Sequence, residues 1–314
     1  MLQLFEVGNL SVAPGNKLQG FLQVANSDLT MPVTLINGAA LGKTVVITSG
    51  VHGGEYPGIE AAIRLAKSLD AKDICGRVAI VHPVNTTAFQ AKLQYVAPLD
   101  GKNLNRMFPG RALGTISERI AYTISTELHA QADFYMDLHG GDIHEALVPF
   151  VLYPAFAGED IAEVSRSAAA LLGVPYVVGS YSATGTFGSA AAQGVPGFLG
   201  EIGQCGVWTE EQVEAYMRGV INILKHLDVV AGVVEDLGPV TYLPRMVGTN
   251  ADHTGCWYPS VQPGDQVQMG QKIGEIRDYF GTTLGEYSAT LSGTVLYVIS
   301  SLAINVGDPI VAIG

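Results

Sequence analysis

The chain predicts an α/β fold: a central, mostly parallel mixed sheet flanked by helices, followed by a small all-β C-terminal domain. Two observations carry this expectation. Runs of β-branched and apolar residues alternate with amphipathic stretches through most of the chain, the texture of strand–helix repeats. Near Gly238 helical periodicity stops, and Pro-Gly, Gly-Asp and Ser-Gly turns punctuate short apolar runs instead. The expected boundaries are therefore 1–238 for the first domain and 239–314 for the second.

Taken in order, LQLFEV and GFLQVA are short strands separated by the turn sequences APGN and NGAALG. TVVITSG is a buried strand ending at Gly50. PGIEAAIRLAKSLD follows with Pro57 at its start and an Ile-Ala-Leu stripe at helical spacing. RVAIVHPVN and SERIAYTISTELHAQ repeat the strand and the helix, and ADFYMDLHGG is a third strand running into glycines. AEVSRSAAALLG reads as helix, PYVVGS as extended, GVPGFLGEIG as a further strand and TEEQVEAYMRGVINILKHLD as a strongly amphipathic helix. Beyond the boundary, PSVQPGDQVQMGQKIGEI, ATLSGTVLYVI and INVGDPIVAI are short strands.

Composition narrows the function classes. Hydrophobic residues make up 48% and charged residues 15%, so 314 residues can bury a sizeable core. A net charge of −12 argues against nucleic acid or an anionic membrane as partner, since both select basic surfaces. Cys75, Cys205 and Cys256 are too scattered for a disulfide framework or a paired-cysteine metal motif. The N-terminus lacks a basic segment before its apolar residues, and no apolar run reaches the length of a membrane span. A cytoplasmic protein is expected.

The sharpest local pattern is GVHGGEYPG, which places His52 and Glu55 at the C-terminal end of a predicted strand, where α/β sheets present their ligands. Imidazole and carboxylate both suit zinc, and the intervening glycines let the two converge. DLHGG puts His139 at another strand end, completing a set of two histidines and one carboxylate that leaves a further position for water. Asp137, two residues earlier on the same strand face, is either a carboxylate that orients a ligating imidazole or an ordinary strand-end acid. In DGKNLNRMFPG the adjacent Asn105 and Arg106 suit capture of a substrate carboxylate, with a structural loop contact as the alternative. In FLGEIGQCG, Glu201 ends an apolar strand, where a carboxylate near a metal can take a proton from water; helix capping and ion pairing are the plainer roles.

In the order HGGE, NLNRMFPG, DLHGG and GEIG, the chain resembles the succinylglutamate desuccinylase/aspartoacylase family, a branch of the zinc carboxypeptidase-like hydrolases. The resemblance runs through about the first three quarters of the chain, and the C-terminal segment is similar to the β-domain many members carry. It implies one zinc ion held by His52, Glu55 and His139, carboxylate binding by Asn105 and Arg106, and Glu201 as general base. It implies hydrolysis of the amide in a small N-acyl amino acid. The family's carbonyl-polarising arginine is missing from AFQAKLQYVAPLDG, where only Lys92 or Gln94 could stand, so Lys92 is the expected substitute.

Other features are weaker. His82, His129, His144, His226 and His253 lack the glycine-flanked strand-end setting. Tyr181, Tyr279 and Tyr287 are candidate substrate-facing hydroxyls, though packing roles suit each of them better. The GTFGS loop at 185–189 is a candidate wall of the acyl pocket. A metallocarboxypeptidase acting on short peptides is the alternative enzyme. A non-catalytic carrier is the alternative outside enzymology, because QPGDQVQMGQKIGEI is similar to lipoyl- and biotinyl-type hairpins. Lys272, however, falls within a strand and not at a hairpin tip. An exposed β-domain makes a homo-oligomer plausible.

Overall fold

Thr44 to Ser49 of the first strong apolar run are all buried, as a strand covered by helices on both faces must be. Val45 and Ile47 point into one core and Val46 into another, the alternation that a period of two imposes. The computed structural model describes residues 2–314. Its elements run β1 (Phe5–Val7), β2 (Leu10–Val12), β3 (Asn16–Gln23), β4 (Thr30–Asn37), β5 (Ala40–Ser49), α1 (Tyr56–Ser68), β6 (Cys75–Val81), α2 (Thr86–Ala91) and α3 (Ile116–Thr123). Then come β7 (Phe134–His139), β8 (Glu145–Leu147), β9 (Phe150–Pro154), α4 (Glu159–Ala169), β10 (Tyr176–Ser180), α5 (Thr186–Ala192), β11 (Gly197–Glu201), α6 (Glu210–His226) and β12 (Thr241–Leu243).

A nine-stranded sheet in the order β12-β10-β9-β11-β7-β5-β6-β4-β3 forms the frame. Its centre is parallel: β6, β5, β7 and β11 run the same way. β9 is antiparallel to β11, and β4 is antiparallel to both β6 and β3, which makes the sheet mixed. One face packs against α1, α4 and α6 through Leu65, Ala168, Val220 and Leu224. The other packs against α3 and α5 through Ile120, Ala121, Phe187 and Ala190. Helix α6 carries a reciprocal cap in which Gln212 Oε1 accepts from the Thr209 N–H at 3.0 Å and Thr209 Oγ1 accepts from the Gln212 N–H at 3.3 Å.

The remaining strands are β13 (Val247–Asn250), β14 (Gly255–Pro259), β15 (Gln266–Val267), β16 (Lys272–Arg277), β17 (Thr283–Ser288), β18 (Gly293–Ile299), β19 (Ala303–Ile304) and β20 (Pro309–Ile313). They make two antiparallel sheets around Trp257, Ile276, Val295 and Ile310. Two pairings tie the segments together. β12 joins the large sheet in parallel with β10, and β8 adds to the edge of β18 with Glu145 opposite Ile299 and Leu147 opposite Tyr297. Among the described residues, no helix is long and apolar enough to cross a membrane.

Candidate metal centre and substrate cavity

His52 lies in the turn after β5, and Glu55 stands immediately before α1. The glycines between them are there for close approach. A Cβ on Gly53 would fall 2.2 Å from the backbone nitrogen of Phe89, and one on Gly54 would fall 2.2 Å from Asp142 Oδ1. The Glu55 side chain makes no capping bond to α1 and turns to the histidines instead. Its Oε1 lies 2.7 Å from His52 Nδ1 and its Oε2 lies 2.8 Å from His139 Nδ1. One ligand atom from each of the three residues falls within 4.8 Å of the others, so the residues form a His-Glu-His metal-binding triad.

The second nitrogen of each ring is also engaged. His52 Nε2 is 3.1 Å from Asn103 Oδ1, and His139 Nε2 is 2.9 Å from Asp137 Oδ2. These contacts turn both Nδ1 atoms toward one point, as second partners do for ligating imidazoles. Asp137 therefore orients His139, and it is itself held by the Thr48 hydroxyl at 2.7 Å and by the Thr186 hydroxyl. The strand ends are tied down by Tyr216 of α6. Its hydroxyl bonds the carbonyls of Gly200 (2.7 Å) and His139, and accepts from the Ile202 N–H at 3.2 Å. Asn103 and Tyr216 escaped the sequence reading because an amide in a loop and a tyrosine on a helix carry no pattern of their own.

The triad opens into a cavity of about 600 Å³ whose lining includes Asn105, Arg106, Glu145, Glu201, Tyr95, Tyr297 and Asp308. Glu201 is opposite His139 in the parallel β11–β7 register, so both side chains leave the sheet on the same side. Among the described residues the Glu201 carboxylate has no hydrogen-bond or ion-pair partner, and the Arg106 guanidinium has none either. The Oδ1 of buried Asn105 accepts the Thr186 N–H at 3.0 Å, which leaves its NH2 group to the cavity.

The structure thus brings together His52, Glu55, His139, Glu201, Asn105 and Arg106. It does not bring Lys92 to them. Lys92 is exposed, caps the end of α2 in a left-handed conformation (φ 54°) and is absent from the cavity lining, as is Gln94. GTFGS is not a loop but the start of α5, with Gly185 as its cap; Gly185 and Phe187 line the cavity, whereas Tyr181 faces an adjoining groove of about 750 Å³. Tyr279 is exposed, and the Tyr287 hydroxyl bonds Asp252 while its ring packs on Trp257. Lys272, at the start of β16, pairs with Glu275 on the same strand (2.5 Å) and with Glu286 on β17 (2.6 Å), which puts no carrier-type lysine at a hairpin tip there.

The site is electrostatically crowded. Burial pushes the Glu55 carboxyl upward, but His139 and His52 outweigh it and hold the group down at about 2. Burial works against a charged His139, yet Glu55 and Asp137 raise it well above the usual imidazole range. Glu201 is pushed well above the usual carboxylate range by burial and by the Glu55 charge. The same two causes lift Glu145 to about 7. Buried acids with this much mutual repulsion are what a bound cation relieves, so the donor set and the surrounding field both fit a divalent metal.

Comparison with known proteins decides the family. The family model described as the succinylglutamate desuccinylase/aspartoacylase catalytic domain matches residues 41–227. The chain belongs to the succinylglutamate desuccinylase/aspartoacylase family. It is 33% identical over 313 residues to the N-alpha-acetyl-L-2,4-diaminobutyric acid deacetylase of Halomonas elongata, covering 94% of this chain and 90% of that protein. Its fold is similar to the succinylglutamate desuccinylase/aspartoacylase of Rhodobacter sphaeroides (TM-score 0.83, 27% identity, 95% of each chain). It is also similar to the product-bound ectoine utilization protein EutE (DoeB) of Ruegeria pomeroyi (TM-score 0.85, 26% identity, 95% of each chain). As a succinylglutamate desuccinylase/aspartoacylase relative with a His-Glu-His metal site, the protein is a hydrolase of linear amides that deacylates a small N-acylated amino-acid derivative.

Proposed function

We propose that the metal is zinc, one per chain, and that the substrate is an N-acyl diamino acid of the 2,4-diaminobutyrate type. The observation that carries the reading is the convergence in one cavity of three kinds of group: the triad, the unpaired carboxylate of Glu201, and the carboxylate-binding pair Asn105 and Arg106. The relative from Halomonas elongata, whose name specifies N-alpha-acetyl-L-2,4-diaminobutyric acid, supports the choice of substrate.

In this reading His52, Glu55 and His139 hold the metal. When bound, zinc supplies Lewis acidity to the scissile carbonyl, makes water a nucleophile near neutral pH and adds a positive field that favours ionised Glu201. Glu201 takes the proton of the attacking water and returns it to the departing amine. Arg106 and the free NH2 group of Asn105 hold the substrate α-carboxylate, so binding energy serves orientation. We read residues 1–238 as the catalytic unit and 239–314 as its cap. Met246, Tyr297, Asp308 and Pro309 from the capping segment line the cavity, which favours a small substrate over a peptide.

The test is elemental analysis of the purified protein combined with amine release from N-acetyl and N-succinyl amino acids and from dipeptides. The expected result is near-stoichiometric zinc and chelator-sensitive deacylation of the N-acetyl diamino acid. Turnover confined to dipeptides would replace the reading with a carboxypeptidase, and failure to hold metal after reconstitution would remove the triad as ligands.

A further inference from the structure

Once the triad, Glu201 and the pair Asn105/Arg106 have been assigned, two charged side chains of the cavity remain without a role: Glu145 and Asp308. Both are acids, and among the described residues neither forms an ion pair. Glu145 sits on β8, and the β8–β18 register sets Leu147 opposite Tyr297. Alternation along the strand then puts Glu145 and Leu147 on one face with Tyr297, and all three line the cavity. Among the described residues, the only hydrogen bond to the Glu145 carboxylate is a long one, 3.3 Å, from the Asp142 N–H to Oε2. Asp308 spends Oδ2 on the turn that holds it, accepting from Asn305 N at 2.8 Å and Asn305 Nδ2 at 3.4 Å. Among the described residues, no hydrogen bond reaches Glu145 Oε1 or Asp308 Oδ1. Tyr95 lines the same cavity, and burial and then the charges of Asp308 and Glu145 push its phenol upward.

A carboxylate withdrawn from water without a cation is costly, as for Glu145, and a cavity that adds the half-exposed Asp308 beside it is matched by a ligand that brings positive charge. We propose that Glu145, assisted by Asp308, reads the distal ammonium of the substrate's amino-acid side chain, and that this acidic wall excludes neutral and acidic side chains. The inference rests on the deacylase reading above and assigns the residues that set its specificity. Selectivity arises in both directions: an ammonium gains a charge-assisted partner, while a carboxylate side chain meets like charge.

The experiment compares zinc-loaded wild type, Glu145→Gln and Asp308→Asn on three N-acetyl amino acids: 2,4-diaminobutyrate, 2-aminobutyrate and aspartate. Wild type is expected to favour the first. Glu145→Gln should cut kcat/KM for it by ~10- to 100-fold, the worth of a hydrogen bond to a charged group. The value for 2-aminobutyrate should stay within ~3-fold, since that substrate never makes the bond. Asp308→Asn should narrow the preference by a smaller factor. A wild type without charge preference, or a Glu145→Gln loss equal for all three substrates, overturns the proposal. Should Glu145→Gln fail to fold, the wild-type preference and Asp308→Asn decide it. Calorimetric binding of free 2,4-diaminobutyrate and 2-aminobutyrate separates the two readings. Charge-selective binding that Glu145→Gln abolishes, without turnover of any substrate, supports the acidic wall and removes the N-acetyl diamino acid as the substrate. Turnover without charge selectivity does the reverse, and binding of neither amino acid overturns the wall.

Discussion

On the floor of the cavity, His139 and Glu201 end adjacent parallel strands in register, and Asp137, Thr48 and Tyr216 lock them from behind. On the wall, Glu145 rides a three-residue strand and Asp308 a turn near the C-terminus, each held by few bonds. The difference is one of preorganisation. Metal ligands and a base need fixed positions, which the ends of buried strands supply. Recognition of a side chain can be assigned to loops and edge pairings, which change without disturbing the chemistry.

The sharpest way to break this division is to separate turnover from binding. Glu201→Gln keeps the shape of the floor but removes the proton acceptor, and kcat should fall by ~10²- to 10⁴-fold with KM little changed. Arg106→Ala acts from the other side and should raise KM by ~10- to 100-fold through the lost charge-assisted contact. Steady-state kinetics on N-acetyl-2,4-diaminobutyrate with verified zinc content reads both. Near-normal turnover in Glu201→Gln would remove it as the base.

A second contrast concerns acid stability. His129 lies beneath the floor against Tyr135 and Phe108. Among the described residues neither ring nitrogen has a hydrogen-bond partner, and burial depresses its pKa from 6.5 to about 4. The unfolded chain therefore binds a proton between these values that the folded chain does not. Its contribution is fully present above about 6.5 and is lost as pH falls toward 4, amounting to about 3 kcal/mol at 1.36 kcal/mol per pKa unit. His129→Phe should flatten the fall of Tm over that window. An unchanged acid limb would place the sensitivity elsewhere, on the wall acids for instance.

How much of this was legible follows the same line between floor and wall. β5, β6, β7 and β11 announce themselves as apolar runs ending in glycine- or proline-bearing loops, and the triad and Glu201 ride on those ends. β9 escaped the reading because Pro149 precedes it and Pro154 ends it, which mimics a loop, yet it is where the sheet reverses direction beyond β11. Glu145 carries no local signal because β8 exists only through its pairing with β18, far along the chain. Asp308 had the look of a turn residue, which it also is. Contacts between distant segments leave no local period, so the wall could be assembled only from the fold.

The smallest predicted effect falls on Lys92. A cation near the carbonyl was expected from the segment that carries it, but its side chain lies in solvent beyond the cavity lining. An exposed charge at that remove is screened, so Lys92→Met should leave kcat/KM within ~2-fold. Tyr95, three residues on, does line the cavity. Tyr95→Phe removes a phenol able to donate to the substrate and should cost up to ~10-fold, the range of a neutral hydrogen bond. The pair is informative because both residues sit in one short stretch, so a disturbance of the backbone would lower both variants alike. If Lys92→Met lost tenfold or more while Tyr95→Phe did not, the α2 loop would have to move inward during turnover. The wall would then be a moving part of the catalytic floor rather than a separate recognition surface.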